Sequence, residues 1–313
     1  MNRHDSAPSL SAEAQRLQGM RRIDPYDRAT CENLAEVLFD IYREQHPMGT
    51  LARGRHLLEI IGLSFPTPRL TAAYFENLER MLEGKQRRSV PGRIILGLGT
   101  GRCGSSTLTA ILATIQGSCC THENPPLINW NPLEDQVRFH VARLELLAGF
   151  FSLVFDASHW WLNAIGELFS RFPQAKAIGL WRDVEPCVQS FMTVKGFGWG
   201  SINHWVAPSN RIWCSNFYDP TYPIYPIPEI SETNPDAGKR AVLARYVRDY
   251  NDQLQKLAAR APEKILLIRT DNLSQTTVQE RIFTFVGLRG EPSKIVLNAG
   301  KVGDGGWAGP YKF

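Results

Sequence analysis

Apolar and polar positions alternate between two regimes along this chain. Before residue 90 the large apolar groups recur at helical spacing. Asp27 to Glu44 places Leu34, Val37, Leu38 and Ile41 on one face, Leu51 to Gly62 follows as a second helix, and 71–83 as a third with Leu70, Tyr74, Leu78 and Leu82 in one stripe. Residues 1–20 carry few large apolar groups and read as disordered. The charged stretch Gly84-Lys-Gln-Arg-Arg-Ser-Val-Pro-Gly92 then reads as a linker. From Arg93 onward, short continuous apolar runs take over, too brief for helices. They predict strands near 94–98, 118–122, 152–156, 176–181 and 264–269. Helices are expected between them, from Ser105, from near Pro186, over 241–259 and over 278–286, the last closed by Gly287. Strand and helix in alternation predict an α/β domain, a central parallel sheet flanked by helices. The expected division is a helical extension over 1–90 and the α/β domain over 91–313. The extension has three readings, an acceptor lid, an element of a homodimer or a packing layer, and packing is favoured.

Composition narrows the class without naming a chemistry. The 313 residues are 43% hydrophobic and 21% charged, as in ordinary globular proteins. No run reaches the length of a membrane span, and the polar start lacks the apolar stretch of a secretory signal. A formal net charge of +4 suits small anionic ligands, and no basic cluster interleaved with aromatics argues for nucleic acid. The six cysteines show neither a C-x-x-C pair nor zinc spacing, so reduced thiols in a cytoplasmic protein without a bound metal are expected.

Candidate chemistry starts at Gly99-Thr-Gly-Arg-Cys-Gly-Ser-Ser-Thr107, a glycine-rich loop between the first strand of the domain and a helix. Gly99, Gly101 and Gly104 permit tight turns, and a helix N-terminus presents unpaired N–H groups and the positive end of its dipole to an anion. Gly99 and Gly104 have Walker A spacing and Ser106 occupies the Ser/Thr position, but Ser105 stands where that motif needs lysine. The one cation in the loop is Arg102, whose planar fork suits phosphate or sulfate oxygens. A P-loop kinase or nucleotide hydrolase is therefore the second choice. Cys103, beside the helix terminus, would have its thiol pKa lowered there, although a small filler is the favoured role.

A second constellation follows Ala175 to Trp181. Arg182 ends that strand, and Ser190 comes eight residues later, about one turn into a helix, so that charge and hydroxyl can face one pocket. Together the two segments resemble the 5′-phosphosulfate loop and the 3′-phosphate motif of sulfotransferases that use 3′-phosphoadenylyl sulfate (PAPS). The resemblance is to the arginine-containing branch, which includes tyrosylprotein and many bacterial sulfotransferases. Arg269 to Leu273 with the helix ending at Gly287, and Asn298 to Trp307, resemble two further family segments, so the likeness runs from Arg93 to Trp307 in the family's order.

The resemblance implies sulfuryl transfer from PAPS to a hydroxyl of a small molecule, sugar or lipid, with release of adenosine 3′,5′-bisphosphate (PAP) and no metal. It implies donor contacts from Thr100, Gly101, Arg102, Cys103, Gly104, Ser105, Ser106, Thr107, Arg182, Ser190 and Lys301, with Arg102 also catalytic. The acceptor's proton needs a base. Glu123 matches the glutamate of the tyrosylprotein branch and His122 the histidine used elsewhere. Neighbours on an extended segment face opposite ways, so one of the two is expected to serve, and Glu123 is favoured. His159 is a third candidate. The chain departs from the family at Ala157, where many relatives have a lysine that holds the transferring group. Arg102, Lys195 or Lys301 would have to replace it, or the protein binds PAP with catalysis lost. Trp160 and Trp161 suit either an acceptor pocket or the core, the core more often.

Overall fold

The computed structural model describes residues 67–123, 134–193 and 235–292. The expected helices over 27–44 and 51–62, the aromatic stretch 195–235, Lys195 and Lys301 lie outside the described residues. The chain divides into two compact units, Met1–Met81 and Leu82–Phe313. In the first, helix α1 (Pro68–Leu82) buries Tyr74 and Leu78, four residues apart, with Leu82 continuing the stripe into its last turn.

Among the described residues, the second unit is a five-stranded, wholly parallel sheet with helices on both faces. Its elements are β1 (Arg93–Leu98), α2 (Ser105–Leu112), β2 (Ser118–His122), α3 (Glu134–Ala148), β3 (Leu153–Ala157), α4 (Trp161–Arg171), β4 (Lys176–Trp181), α5 (Val184–Met192), α6 (Pro235–Arg260), β5 (Ile265–Arg269) and α7 (Thr276–Val286). The strand order is β2-β3-β1-β4-β5. The inner strands are apolar runs because both of their faces are covered, as parallel sheets require, with Asp156 as the charged residue inside β3. Register pairs Ile95 with Phe155 on one side and with Lys176 on the other.

On one face, α2 and α7 form the main core: Leu108, Ile111 and Leu112 meet Ile282, Phe283 and Val286 over Ile95, Phe155, Ile178 and Ile268. On the other face lie α3, α4 and α6. Here Leu254 of α6 approaches β4 so closely that a Cβ on Gly179 would sit 2.8 Å from it. Trp160 and Trp161 are buried, so the pair packs the interior.

That face also holds a buried polar knot. Asp156 on β3 and Arg143 on α3 have no solvent exposure and lie 3.6 Å apart. Thr121 donates to one Asp156 oxygen, and Trp161 Nε1 (2.8 Å) and Ser158 (3.1 Å) donate to the other. The carboxylate is therefore held from β2, α3 and α4 at once.

The topology sets the position of the site. Every strand points the same way, so all their C-terminal ends share one edge. The chain leaves β1 for β2 and β3 on one side, then crosses to β4 and β5 on the other. The loop after β1 thus opens at the point where the winding reverses, the place where α/β sheets form a crevice.

Candidate donor site at the sheet edge

The glycine-rich loop is shaped by its backbone and held from behind. Gly101 (φ 78°) and Gly104 (φ 86°) take left-handed conformations, and between them Arg102 does so at φ 54° despite its side chain. Gly104 has a second reason to lack a side chain: a Cβ there would lie 2.9 Å from Leu273. The Leu108 N–H closes the first bond of α2 on the Gly104 carbonyl (3.0 Å), so the N–H groups of Ser105 and Ser106 precede the intrahelical ladder. Two tyrosines one turn apart on α6 grip the rear of the loop. Tyr250 OH receives the Gly99 N–H (2.9 Å) and donates to the His159 carbonyl (2.9 Å), while Tyr246 OH donates to the Thr100 carbonyl (2.8 Å). Thr270, just after β5, donates to the Cys103 carbonyl (2.6 Å).

Several loop side chains turn inward. Thr100 is buried, donates to the Gly101 carbonyl (2.7 Å) and lies 3.4 Å from Cys187 Sγ. Thr107 and Cys103 are buried as well. Burial pushes the Cys103 thiol up to about 12, with the neighbouring Cys187 thiol adding to the effect. This reverses the lowering expected beside a helix N-terminus: desolvation outweighs the dipole where the sulfur faces the core. Backbone groups of Thr100 and Cys103, and not their side chains, are what the loop can offer a ligand.

The two segments that were adjacent only in expectation meet in space. Arg102 Nε donates to Ser190 Oγ (3.1 Å), and Arg182 Nη1 donates to the Arg102 carbonyl (3.2 Å). The Arg182 carbonyl is in turn held by Asn251 of α6 (2.9 Å). Arg182 Nε is buried with no hydrogen-bond partner, an unsatisfied charged donor beside the loop. The helix carrying Ser190 begins at Val184, two residues before Pro186, and leaves the serine facing Arg102. At the outer rim Arg269 bridges Asp183 (2.6 Å) and Asp271 (3.1 Å) and lies over the Trp181 ring, tying β4 to β5.

His122 and Glu123 part company. His122, the last residue of β2, places Nε2 2.8 Å from Ser105 Oγ on α2. Glu123 turns the chain at φ 48° with its N–H on the Ala157 carbonyl (2.8 Å), and its carboxylate lies 3.8 Å from His159 Nδ1. The Glu123 side chain is 36% exposed and that of His159 15%, so this pair sits at the surface of the crevice. Ala157 is fully buried and belongs to the core cluster, against Gly97, so position 157 of this chain is a packing position. Sequence reading overlooked Tyr246 and Tyr250. Their signal is a tyrosine pair at i, i+4 inside the apolar stripe Leu243, Val247 and Leu254.

No protein-family model matches this chain, and neither does any curated protein. Among solved structures, the sulfotransferase domain of the Synechococcus PCC 7002 olefin synthase is similar at 18% identity and a TM-score of 0.40, over 70% of this chain and 82% of that one. The sulfotransferase domain from the curacin biosynthetic pathway is similar at 16% identity and a TM-score of 0.39, over 70% and 82% of the two chains. A sulfotransferase from Alicyclobacillus acidocaldarius is similar at 14% identity and a TM-score of 0.38, over 66% and 85%.

Proposed function

We propose that this protein transfers the sulfuryl group of PAPS to a hydroxyl of a small-molecule, carbohydrate or lipid acceptor and releases PAP. The observation that carries the proposal is the convergence of Arg102, Ser190 and Arg182 at the mouth of a glycine-rich loop whose Walker lysine position is Ser105. A nucleoside triphosphate needs that lysine on its terminal phosphates. A donor with two anionic groups calls for more than one cation, and Arg102 and Arg182 are the two that support this reading. The loop N–H groups and the start of α2 would take the 5′-phosphosulfate. Arg182 and Ser190 would take the 3′-phosphate, which would satisfy the Arg182 Nε that is otherwise without a partner.

In the reaction the acceptor oxygen attacks sulfur in line with the bridging oxygen. The bond between sulfur and that oxygen breaks, its electron pair goes to the departing phosphate, and the acceptor's proton goes to a base. Glu123 is the proposed base. It stands at the end of β2 on the same sheet edge as the loop, and it faces away from the contact that engages His122. Arg102 would neutralise charge on the transferring group. The burial of position 157 favours one alternative, a PAP-binding protein whose catalysis has been lost, and failure to transfer sulfuryl to any acceptor despite PAP binding would support it.

Substitutions in the 3′ subsite test the assignment. Arg182→Ala should weaken PAP binding by about 1.5–3 kcal/mol, the worth of a hydrogen bond to a charged group, and Ser190→Ala by less. Adenosine 5′-phosphosulfate, which lacks the 3′-phosphate, should be nearly indifferent to both. Because Arg182 also braces the Arg102 carbonyl, a merely distorted loop would weaken both nucleotides alike. Equal losses measured by calorimetry would remove these residues from the 3′ subsite.

A further inference from the structure

Taking the loop as the donor site proposed above, we infer that His122 is a donor-side residue. Its protonated imidazole, acting through the Ser105 hydroxyl, supplies the positive charge for which the loop has no lysine, and it couples binding of the 5′-phosphate to proton uptake.

The placement follows from strand alternation. Along β2, Cys119 and Thr121 point to one face, and Thr121 meets Asp156 and Arg143 there. Cys120 packs on the opposite face, against the cluster that includes Ile111 and Leu112 of α2. His122 shares the Cys120 face, so the end of the strand delivers its ring to the first turn of α2, with Nε2 2.8 Å from Ser105 Oγ. Ser105 is the residue at the Walker lysine position. Elsewhere in the loop, Arg102 Nε is engaged by Ser190, on the side away from β2.

The proton on Nε2 decides what Ser105 can do. A hydroxyl has a single O–H to give. If a neutral imidazole accepts at Nε2, the Ser105 proton is used there and none remains for an anion; the neutral Nε2–H tautomer frees that proton but brings no charge to the loop. If the imidazole is protonated, Nε2 donates, and Ser105 can turn its O–H to a phosphate oxygen while a full charge stands behind it. Histidine is the side chain that makes this change near neutral pH. Among the described residues, the charged groups on the surrounding elements are Glu123 next in sequence, His159 beyond it, Arg102 in the loop, and Asp156 with Arg143 on the far face of the sheet. Helix α2 carries no charged residue.

The test is PAP affinity from about pH 5.5 to about pH 8, the imidazole range, for the wild type, His122→Asn, His122→Lys, Ser105→Ala and His159→Ala. The ligand's own phosphates titrate in this range, so the quantity to read is the ratio of wild-type to variant affinity at each pH. For His122→Asn the ratio should fall from about tenfold at the acid end to near one at the alkaline end, the gain of a charge-assisted over a neutral hydrogen bond. Ser105→Ala should give the same slope, and His122→Lys should bind tightly at every pH. His159→Ala should keep the wild-type slope. Calorimetry in two buffers of different ionisation heat should show more proton uptake on binding PAP near neutral pH for the wild type than for His122→Asn. A flat ratio for His122→Asn, a wild-type slope in Ser105→Ala, or equal proton uptake in the wild type and His122→Asn would overturn this role for His122 and leave the donor site standing. A wild type that does not bind PAP at any pH would overturn both.

Discussion

Glu123→Gln is expected to lower turnover by about 10²–10⁴, the usual contribution of a positioned general base, with PAP affinity almost unchanged. The amide keeps the size and polarity of the side chain but cannot take the acceptor's proton. The geometry separates this effect from donor binding: Glu123 turns toward His159, whereas the contact with the loop belongs to His122. His159→Ala is the companion variant, since its Nδ1 lies 3.8 Å from the Glu123 carboxylate. If the carboxylate is the base, losing the imidazole should cost much less than losing the carboxylate. Near-normal turnover in Glu123→Gln with a validated acceptor would take the base role away from it, and a large loss confined to His159→Ala would give that role to the imidazole.

Asp156→Ala should destabilise the fold by ~3–5 kcal/mol, because it leaves the buried Arg143 without its carboxylate. The lost acceptor also strands donors from Thr121, Ser158 and Trp161. Asp156→Asn keeps a hydrogen-bond acceptor and should cost less. Urea denaturation of the two variants against wild type measures both, and a loss under about 1 kcal/mol for the alanine variant, the range of surface pairs, would mean that the knot contributes little. This carboxylate sits one position from Ala157 and two from Ser158 in a segment that otherwise invites a catalytic reading. Its full burial assigns it to stability.

What was legible in the sequence, and what was not, follows from the range of the forces involved. The strands could be read because a parallel sheet covered on both faces demands uninterrupted apolar runs, and Ile94 to Leu98 or Ala177 to Leu180 have no other use. The loop after β1 could be read because positive φ at Gly101 and Gly104 needs glycine locally. The boundaries of α6 could not. Expected over 241–259, it begins at Pro235, since its length is set by packing and not by its own stripe. The pairings inside the site were out of reach. Tyr250 meets Gly99 across 151 residues, and Arg102 meets Ser190 across 88. No periodicity encodes such a contact. His122 and Glu123 were expected to part by alternation along an extended segment, but the strand ends at His122 and Glu123 turns the chain at φ 48°; what each would meet, Ser105 or His159, depended on which helix covers which face.

The central claim is that this loop and the Arg182 subsite hold an adenosine carrying both a 5′- and a 3′-phosphate. The most direct measurement is the thermal shift of the protein with PAP, ADP and ATP, each with and without magnesium. A ligand that binds only the folded state raises the melting temperature with its affinity. PAP should stabilise the protein most, and magnesium should make no difference. Equal stabilisation by ATP, or stabilisation that requires magnesium, would contradict the account.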